Sequence, residues 1–179
     1  KQYLAMEYCE FGSLKDQFKE KGTFTLEKSL KCGISVLKGL KPLHLANIIH
    51  RDIKPDNILQ AAEGQIKIAD LGLAKFGTDL LENCPQGSVG YMSPEQYTDF
   101  NNVDIRSDIY SVGATLFHLY TGQLVYDGDD IMDILDSHQR CMVPALTTYR
   151  EECPLSFNHV IRKMLAKNPA DRYQKVHDA

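Results

Sequence analysis

The tightest constraint on this chain is one octapeptide, His50-Arg51-Asp52-Ile53-Lys54-Pro55-Asp56-Asn57. Pro55 fixes its own φ and has no N–H, so the stretch reads as a loop rather than a helix interior or a central strand. Asp52, Lys54 and Asn57 set a carboxylate, an ammonium two residues on and a carboxamide five residues on. A tight loop lets all three meet. On its C-terminal side, Ile58-Leu59-Gln60 and Gln65-Ile66-Lys67-Ile68 flank Ala61-Ala62-Glu63-Gly64, the pattern of a small hairpin. Such a hairpin sets the loop and Asp70 on the two sides of one cleft.

The rest of the chain is mainly helical in pattern. Tyr3 to Tyr8 is a short aromatic-rich strand candidate, broken by Gly12. Ser13 can cap a short helix bearing Leu14 and Phe18. Thr25 opens a longer one, in which Leu26, Leu30, Ile34, Leu37 and Leu40 are expected to form one buried stripe, with a kink or an end near Pro42. Leu73 to Val103 has little periodicity and is rich in turn residues, which marks a functional segment. Arg106 to Tyr120 is apolar on several faces, so it is expected to be a buried helix stopped by Gly122. Ile131 to His138 reads as a short helix after an Asp-rich start, and Ser156 is expected to cap a last one carrying Phe157, Val160, Ile161, Met164 and Leu165.

Composition closes off several classes. A net charge of -4 without a Lys/Arg stripe argues against nucleic-acid binding. Five scattered cysteines, Cys9, Cys32, Cys84, Cys141 and Cys153, include no Cys-x-x-Cys pair, which disfavours a disulfide framework or zinc site and fits a reducing compartment. No apolar run is long enough to span a bilayer, although a full protein could be membrane-anchored elsewhere.

A lone Asp or Asn in a turn is ordinarily just a turn residue. Order and spacing make the difference here. His-Arg-Asp followed by Asn five residues after the Asp, and then Ala69-Asp70-Leu71-Gly72, resembles the catalytic loop and metal-binding motif of eukaryotic-type (Hanks-type) serine/threonine protein kinases. The resemblance implies an α+β, mostly α-helical chain with the kinase-like fold, in its large C-terminal lobe only. Residues 1–13 would be strand and hinge, and residues 14–179 the lobe, cut within its last helix. Asp52 would take the proton of the attacking hydroxyl, and Lys54 would offset charge on the phosphate. Asn57 and Asp70 would hold Mg²⁺, and Gly72 would free the backbone beside Asp70. Met6, Glu7 and Cys9 would border the adenine of ATP, with Leu59 as its apolar floor. Ser13 would reach the ribose or serve as a helix cap.

Other matches imply structural or regulatory roles. Lys54 and Ser88, the latter in Gly87-Ser88-Val89-Gly90-Tyr91-Met92-Ser93-Pro94-Glu95, are similar to the residues that mark a Ser/Thr acceptor. Glu95 would pair with Arg172, Asp108 would bond the backbone of the catalytic loop, and His50 would stack with Leu71. Arg51 matches kinases whose loop is ordered by a phosphate, yet Cys84 stands four residues before Ser88, so phosphorylation there is unavailable. Thr78 is the only earlier hydroxyl in that loop, and Glu82 is a candidate fixed charge. Arg106 to Gly113, the Ser93-Pro94-Glu95-Gln96 run and Asn168 to Gln174 look most like bacterial members, a resemblance that implies a cytoplasmic kinase domain.

The expected activity is transfer of the ATP γ-phosphoryl group to a protein serine or threonine. Gly-x-Gly-x-x-Gly and a Val-Ala-Ile-Lys type of strand are missing from this stretch, so the chain alone is expected to be weak or inactive. Two other readings remain: a pseudokinase or scaffolding module binding partners without catalysis, and a small-molecule kinase. Intact Asp52, Lys54, Asn57 and Asp70 count against the first. The Gly87–Glu95 segment and the helix of Asp108 favour the protein-kinase branch over the second.

Overall fold

In the computed structural model, residues 6–70, 86–99 and 102–179 are described. Seven α-helices and one two-stranded sheet fall within them. They are α1 (Leu14–Lys21), α2 (Leu26–Leu45), β1 (Ile58–Gln60), β2 (Ile66–Ile68), α3 (Gln86–Val89), α4 (Glu95–Thr98), α5 (Ile105–Thr121), α6 (Ile131–Arg140) and α7 (Leu155–Met164).

α5 is the axis of the core. Ile109, Tyr110, Phe117 and Leu119 on it are fully buried, and it packs against both α2 and α7. A helix apolar around its circumference has to be enclosed this way. Asp104 caps its start by accepting from the Arg106 amide at 2.8 Å, and Gly122, at φ 81°, ends it in the left-handed conformation. Tyr120 meets Phe157 of α7 edge to face, ring centroids 5.2 Å apart. The expected buried helix and its stop are both present.

The buried stripe of α2 differs from the expected one. Leu37 and Leu40 face inward, but Leu30 and Ile34 are 43% and 52% exposed. The inward line runs through Ser29, Cys32, Gly33, Val36, Leu37, Leu40 and His44 instead. Small residues occupy it because α5 passes close: a Cβ on Gly33 would lie 2.9 Å from Leu116 Cδ1. Pro42 neither kinks off nor ends the helix, which continues to Leu45.

The hairpin forms as expected, β1 antiparallel to β2 with Ile58 opposite Ile68 and Gln60 opposite Ile66. It packs on α2, and a Ser13–Leu59 bridge ties it to the start of α1. Residues 6–8 are irregular rather than strand, and Tyr3, Leu4 and Ala5 lie outside the described residues, as do Leu71, Gly72, Thr78, Glu82 and Cys84. Within the stretch expected to lack regular structure sit α3 and α4, each only four residues long, too short for a helical period to show. α7 begins at Leu155 behind Pro154, one residue before the expected cap. Pro154 is itself the N-cap residue, with extended backbone at φ -61° and ψ 137°, so Ser156 lies inside the helix rather than capping it. Residues 176–177 form a turn, with the Asp178 N–H donating to the Lys175 carbonyl at 3.1 Å.

At the crossing of α5 and α7 a Cβ on Gly113 would stand 2.8 Å from Met164 Cβ and 3.2 Å from Leu165 Cγ. Met164 Cβ cannot swing clear, because the helix backbone fixes it. Gly113→Ala is therefore expected to lower stability by about 1–3 kcal/mol through overpacking. Urea denaturation should show a lower midpoint at unchanged slope.

Candidate active site

One buried carboxylate shapes the loop before Asn57. Asp108, fully buried on α5, accepts from the backbone N–H of His50 at 2.9 Å and of Arg51 at 2.8 Å. His44 Nε2, near the end of α2, donates to the same carboxylate at 2.8 Å. These bonds hold Arg51 in the left-handed conformation, φ 68°, which a side chain with a Cβ adopts only under constraint. From the other side, Gln96 Nε2 donates to the Arg51 carbonyl at 2.8 Å.

The turn delivers Asp52, Lys54 and Asn57 to one place. Lys54 Nζ lies 2.8 Å from Asp52 Oδ2 and donates to Ser88 Oγ at 3.0 Å. Asn57 Nδ2 donates to Asp52 Oδ2 and to the Asp52 carbonyl, both at 2.8 Å. The carboxylate is half exposed, so it is oriented by an ammonium and an amide yet open to a substrate. With its nitrogen committed to Asp52, the Asn57 amide can offer only its oxygen to a further partner.

Asp70 is tied to the same loop through the hairpin. The Ala69 N–H donates to the Asn57 carbonyl at 2.8 Å, extending the β1–β2 pairing by one step. His50 completes the link. Its ring accepts the Asp52 N–H at Nδ1, 3.3 Å, and donates from Nε2 to the Ala69 carbonyl at 3.0 Å. That pair of bonds requires the neutral ring with its proton on Nε2. Asp70, next in sequence, has φ 53° and an exposed side chain. No group of three or more His, Cys, Asp or Glu among the described residues forms a metal cage. Two hard oxygen donors on one loop and one strand end suit Mg²⁺, which takes few protein ligands and fills the rest with phosphate and water.

The residues expected to form the hinge are stitched to β1. Phe11 N–H donates to the Gln60 carbonyl at 3.2 Å, and Gln60 N–H donates to the Gly12 carbonyl at 2.9 Å. Met6 is exposed, Cys9 and Leu59 are half-buried, and Glu7 pairs with Lys67 at 3.2 Å. Ser13 is a helix cap: its hydroxyl donates to Asp16 Oδ2 at 2.6 Å and accepts the Asp16 N–H at 3.1 Å. Its one proton is committed, so toward a ribose it could only accept.

Glu95 and Arg172 meet as the sequence led one to expect, at 2.6 and 2.8 Å. The remaining guanidinium N–H groups go to the carbonyls of Ala166, Arg106 and Lys167, so all five donors are used. Ser107 adds a bond to Glu95 at 3.0 Å. A buried pair this well satisfied is costly to break from one side. Sequence reasoning missed several partners. Gln96 accepts from the Ser93 N–H and hydroxyl while bracing Arg51; Ser93 also bonds Ser107; His44 shares Asp108; and Lys15 pairs with Asp56 at 2.7 Å. Each is a long-range or irregular contact of a residue type that is usually solvated. Only the placing of Ser93 and Gln96 three apart around Pro94-Glu95 offered a local cue, that of a capped turn.

A helical lobe whose central buried helix anchors a His-Arg-Asp loop, faced by a two-stranded hairpin ending in Asp70, is the C-terminal lobe of a protein-kinase-like fold. The chain belongs to the protein kinase domain family, whose model matches residues 1–177. It is 39% identical over 96% of its length to a probable serine/threonine-protein kinase of Clostridium perfringens, 34% over 99% to the probable serine/threonine-protein kinase PknB of Lactococcus lactis, and 34% over 98% to serine/threonine-protein kinase PrkC of Bacillus subtilis. The chain spans 25% to 28% of the length of these three relatives. Among the described residues no helix is long and apolar enough to cross a membrane.

Two measurements check the structural framework of the site. Asp108→Ala strands two buried backbone N–H groups and is expected to cost on the order of 3 kcal/mol. Hydrogen exchange should speed up at the His50 and Arg51 amides before it does so along α5. Burial pushes the Glu95 carboxyl up, but the hydrogen bonds and charge of Arg172 outweigh that and hold it below its usual value of 4.5. A folded-state pKa below the unfolded one means the pair's contribution is complete above the unfolded value and fades as pH falls through the folded one. Denaturation midpoints of the parent should thus drop below about pH 4.5 more steeply than those of Glu95→Gln.

Proposed function

We propose that this lobe transfers the γ-phosphoryl group of ATP to a serine or threonine hydroxyl of a protein, as part of a serine/threonine protein kinase. The observation that carries the reading is the convergence of Asp52, Lys54 and Asn57 within hydrogen-bond reach, with Lys54 also on Ser88. Asp52 orients the acceptor hydroxyl and takes its proton as the oxygen–phosphorus bond forms and the bond to ADP breaks. Lys54 offsets the negative charge of the transferring group while its bond to Ser88 keeps it over the loop. Asn57 and Asp70 are the residues that would hold Mg²⁺, which when bound neutralises charge on the nucleotide's phosphates. Met6, Glu7 and Cys9 would line the adenine edge, the latter two through backbone groups, and Leu59 would pack beneath it.

The bridge from Ser88 to Lys54 supports a Ser/Thr acceptor, because it fixes the ammonium beside the acceptor position. The names of the bacterial relatives point the same way. In the full-length protein, Asp52→Asn is expected to lower phosphorylation of a serine peptide roughly a hundredfold or more while the thermal transition stays put. Undiminished turnover would remove Asp52 from the chemistry, whereas no turnover by the full-length parent would leave a partner-binding module as the reading. Chelation of Mg²⁺ should abolish turnover in the parent.

A further inference from the structure

A second concavity lies away from the site, between the connection after α6 and the outer face of α7. It encloses about 580 Å³. Arg140, His159, Arg162, Lys163 and Lys167 line it, with no Asp or Glu among the lining residues. In a chain of net charge -4, this is a local reversal of sign. His159, Arg162 and Lys163 stand three and four residues apart, so they share one face of α7, opposite the buried Phe157, Ile161 and Met164. All three are exposed and none is in a salt bridge among the described residues, whereas the charge of Arg140 is paired with Asp136 at 2.9 Å.

The wall behind them is fixed. Lys167 Nζ donates to the Tyr126 hydroxyl and the His138 carbonyl, both at 2.7 Å, so its charge is held in place. The mouth is apolar as well as cationic. Met142 is 83% and Leu155 78% exposed, and both line the same groove. Long aliphatic side chains left in water beside a cationic row match a ligand with an apolar side chain and carboxylates around it. Nucleic acid fits less well, since no aromatic side chain lines the groove for base stacking. A lipid surface fits less well, since the feature is concave.

We propose that this groove docks an acidic polypeptide segment, rich in Asp and Glu, with one aliphatic anchor seated between Met142 and Leu155. The contact is separate from phosphoryl transfer, so its test does not depend on the proposed activity.

A fluorescein-labelled peptide of about ten residues, Asp/Glu-rich around a single Leu, serves as the probe. Fluorescence anisotropy with the full-length protein should show saturable binding that weakens as ionic strength rises from about 0.05 to about 0.5 M. Arg162→Glu with Lys163→Glu should weaken it about tenfold or more, and Asp52→Asn should not change it. Replacing the peptide's Leu by Ser, or Leu155 by Ser, should weaken it as well. If the charge-reversed variant loses its thermal transition, the Arg162→Gln/Lys163→Gln variant takes its place. Equal binding by that variant, equal binding of the Leu-free peptide, or no saturable binding would overturn the proposal. So would displacement of the peptide by a single-stranded oligonucleotide or by phosphatidylglycerol vesicles at lower concentration than by unlabelled peptide.

Discussion

A single buried carboxylate holds the functional loop in shape. Asp108 is fully buried, and an ionised carboxylate in such a place is tolerable only when its lone pairs are filled. Here two backbone amides and a histidine fill them. The dependence runs both ways. The loop needs the carboxylate to keep Arg51 at positive φ, and α5 needs the loop's amides to keep a charge at its core. Because α5 is packed by α2 and α7, the loop inherits the rigidity of the whole lobe rather than that of its own backbone.

Positioning is the main resource a protein has for phosphoryl transfer, because the transition state asks for little covalent help. The bonds around His50 show how that positioning spreads. One imidazole reads the amide of Asp52 and the carbonyl before Asp70 together, so the hairpin end and the loop cannot shift independently. Gln96 adds a tie from α4 to the Arg51 carbonyl, and Glu95, next to it, is clamped by Arg172. The segment holding Ser88, which contacts Lys54, is thereby joined to the helical core by one ionic clamp and one amide.

The sequence was informative wherever chemistry and spacing coincide. The grouping of Asp52, Lys54 and Asn57 could be read from residue types at fixed intervals and the hairpin from two short apolar runs around Glu63-Gly64, while the contacts of Asp108 and the Glu95–Arg172 pair were legible only through the family resemblance. It misled on α2. A stripe chosen by hydrophobicity took in Leu30 and Ile34, but the true contact line is set by how closely α5 approaches, and close approach selects Ser29, Cys32 and Gly33. Periodicity counts large apolar residues and is blind to small ones used for fit. Gln96, Ser107, His44 and Lys15 were equally hidden, since their partners lie far along the chain or in irregular backbone.

The outer face of α7 shows the same separation between fold and use. Its inner row of Phe157, Ile161 and Met164 is what packing demands, and any solvated residues would satisfy the fold at positions 155, 159, 162 and 163. A helix face under no demand but solubility would mix signs, because like charges three and four residues apart repel. This face instead gathers cations without an intervening acid and sets Leu155 among them. Arg162 and Lys163 lie in the last turn of α7, where the helix dipole offsets part of their mutual repulsion. The sign of this face and the exposed Leu155 beside it are what the proposed acidic segment would complement.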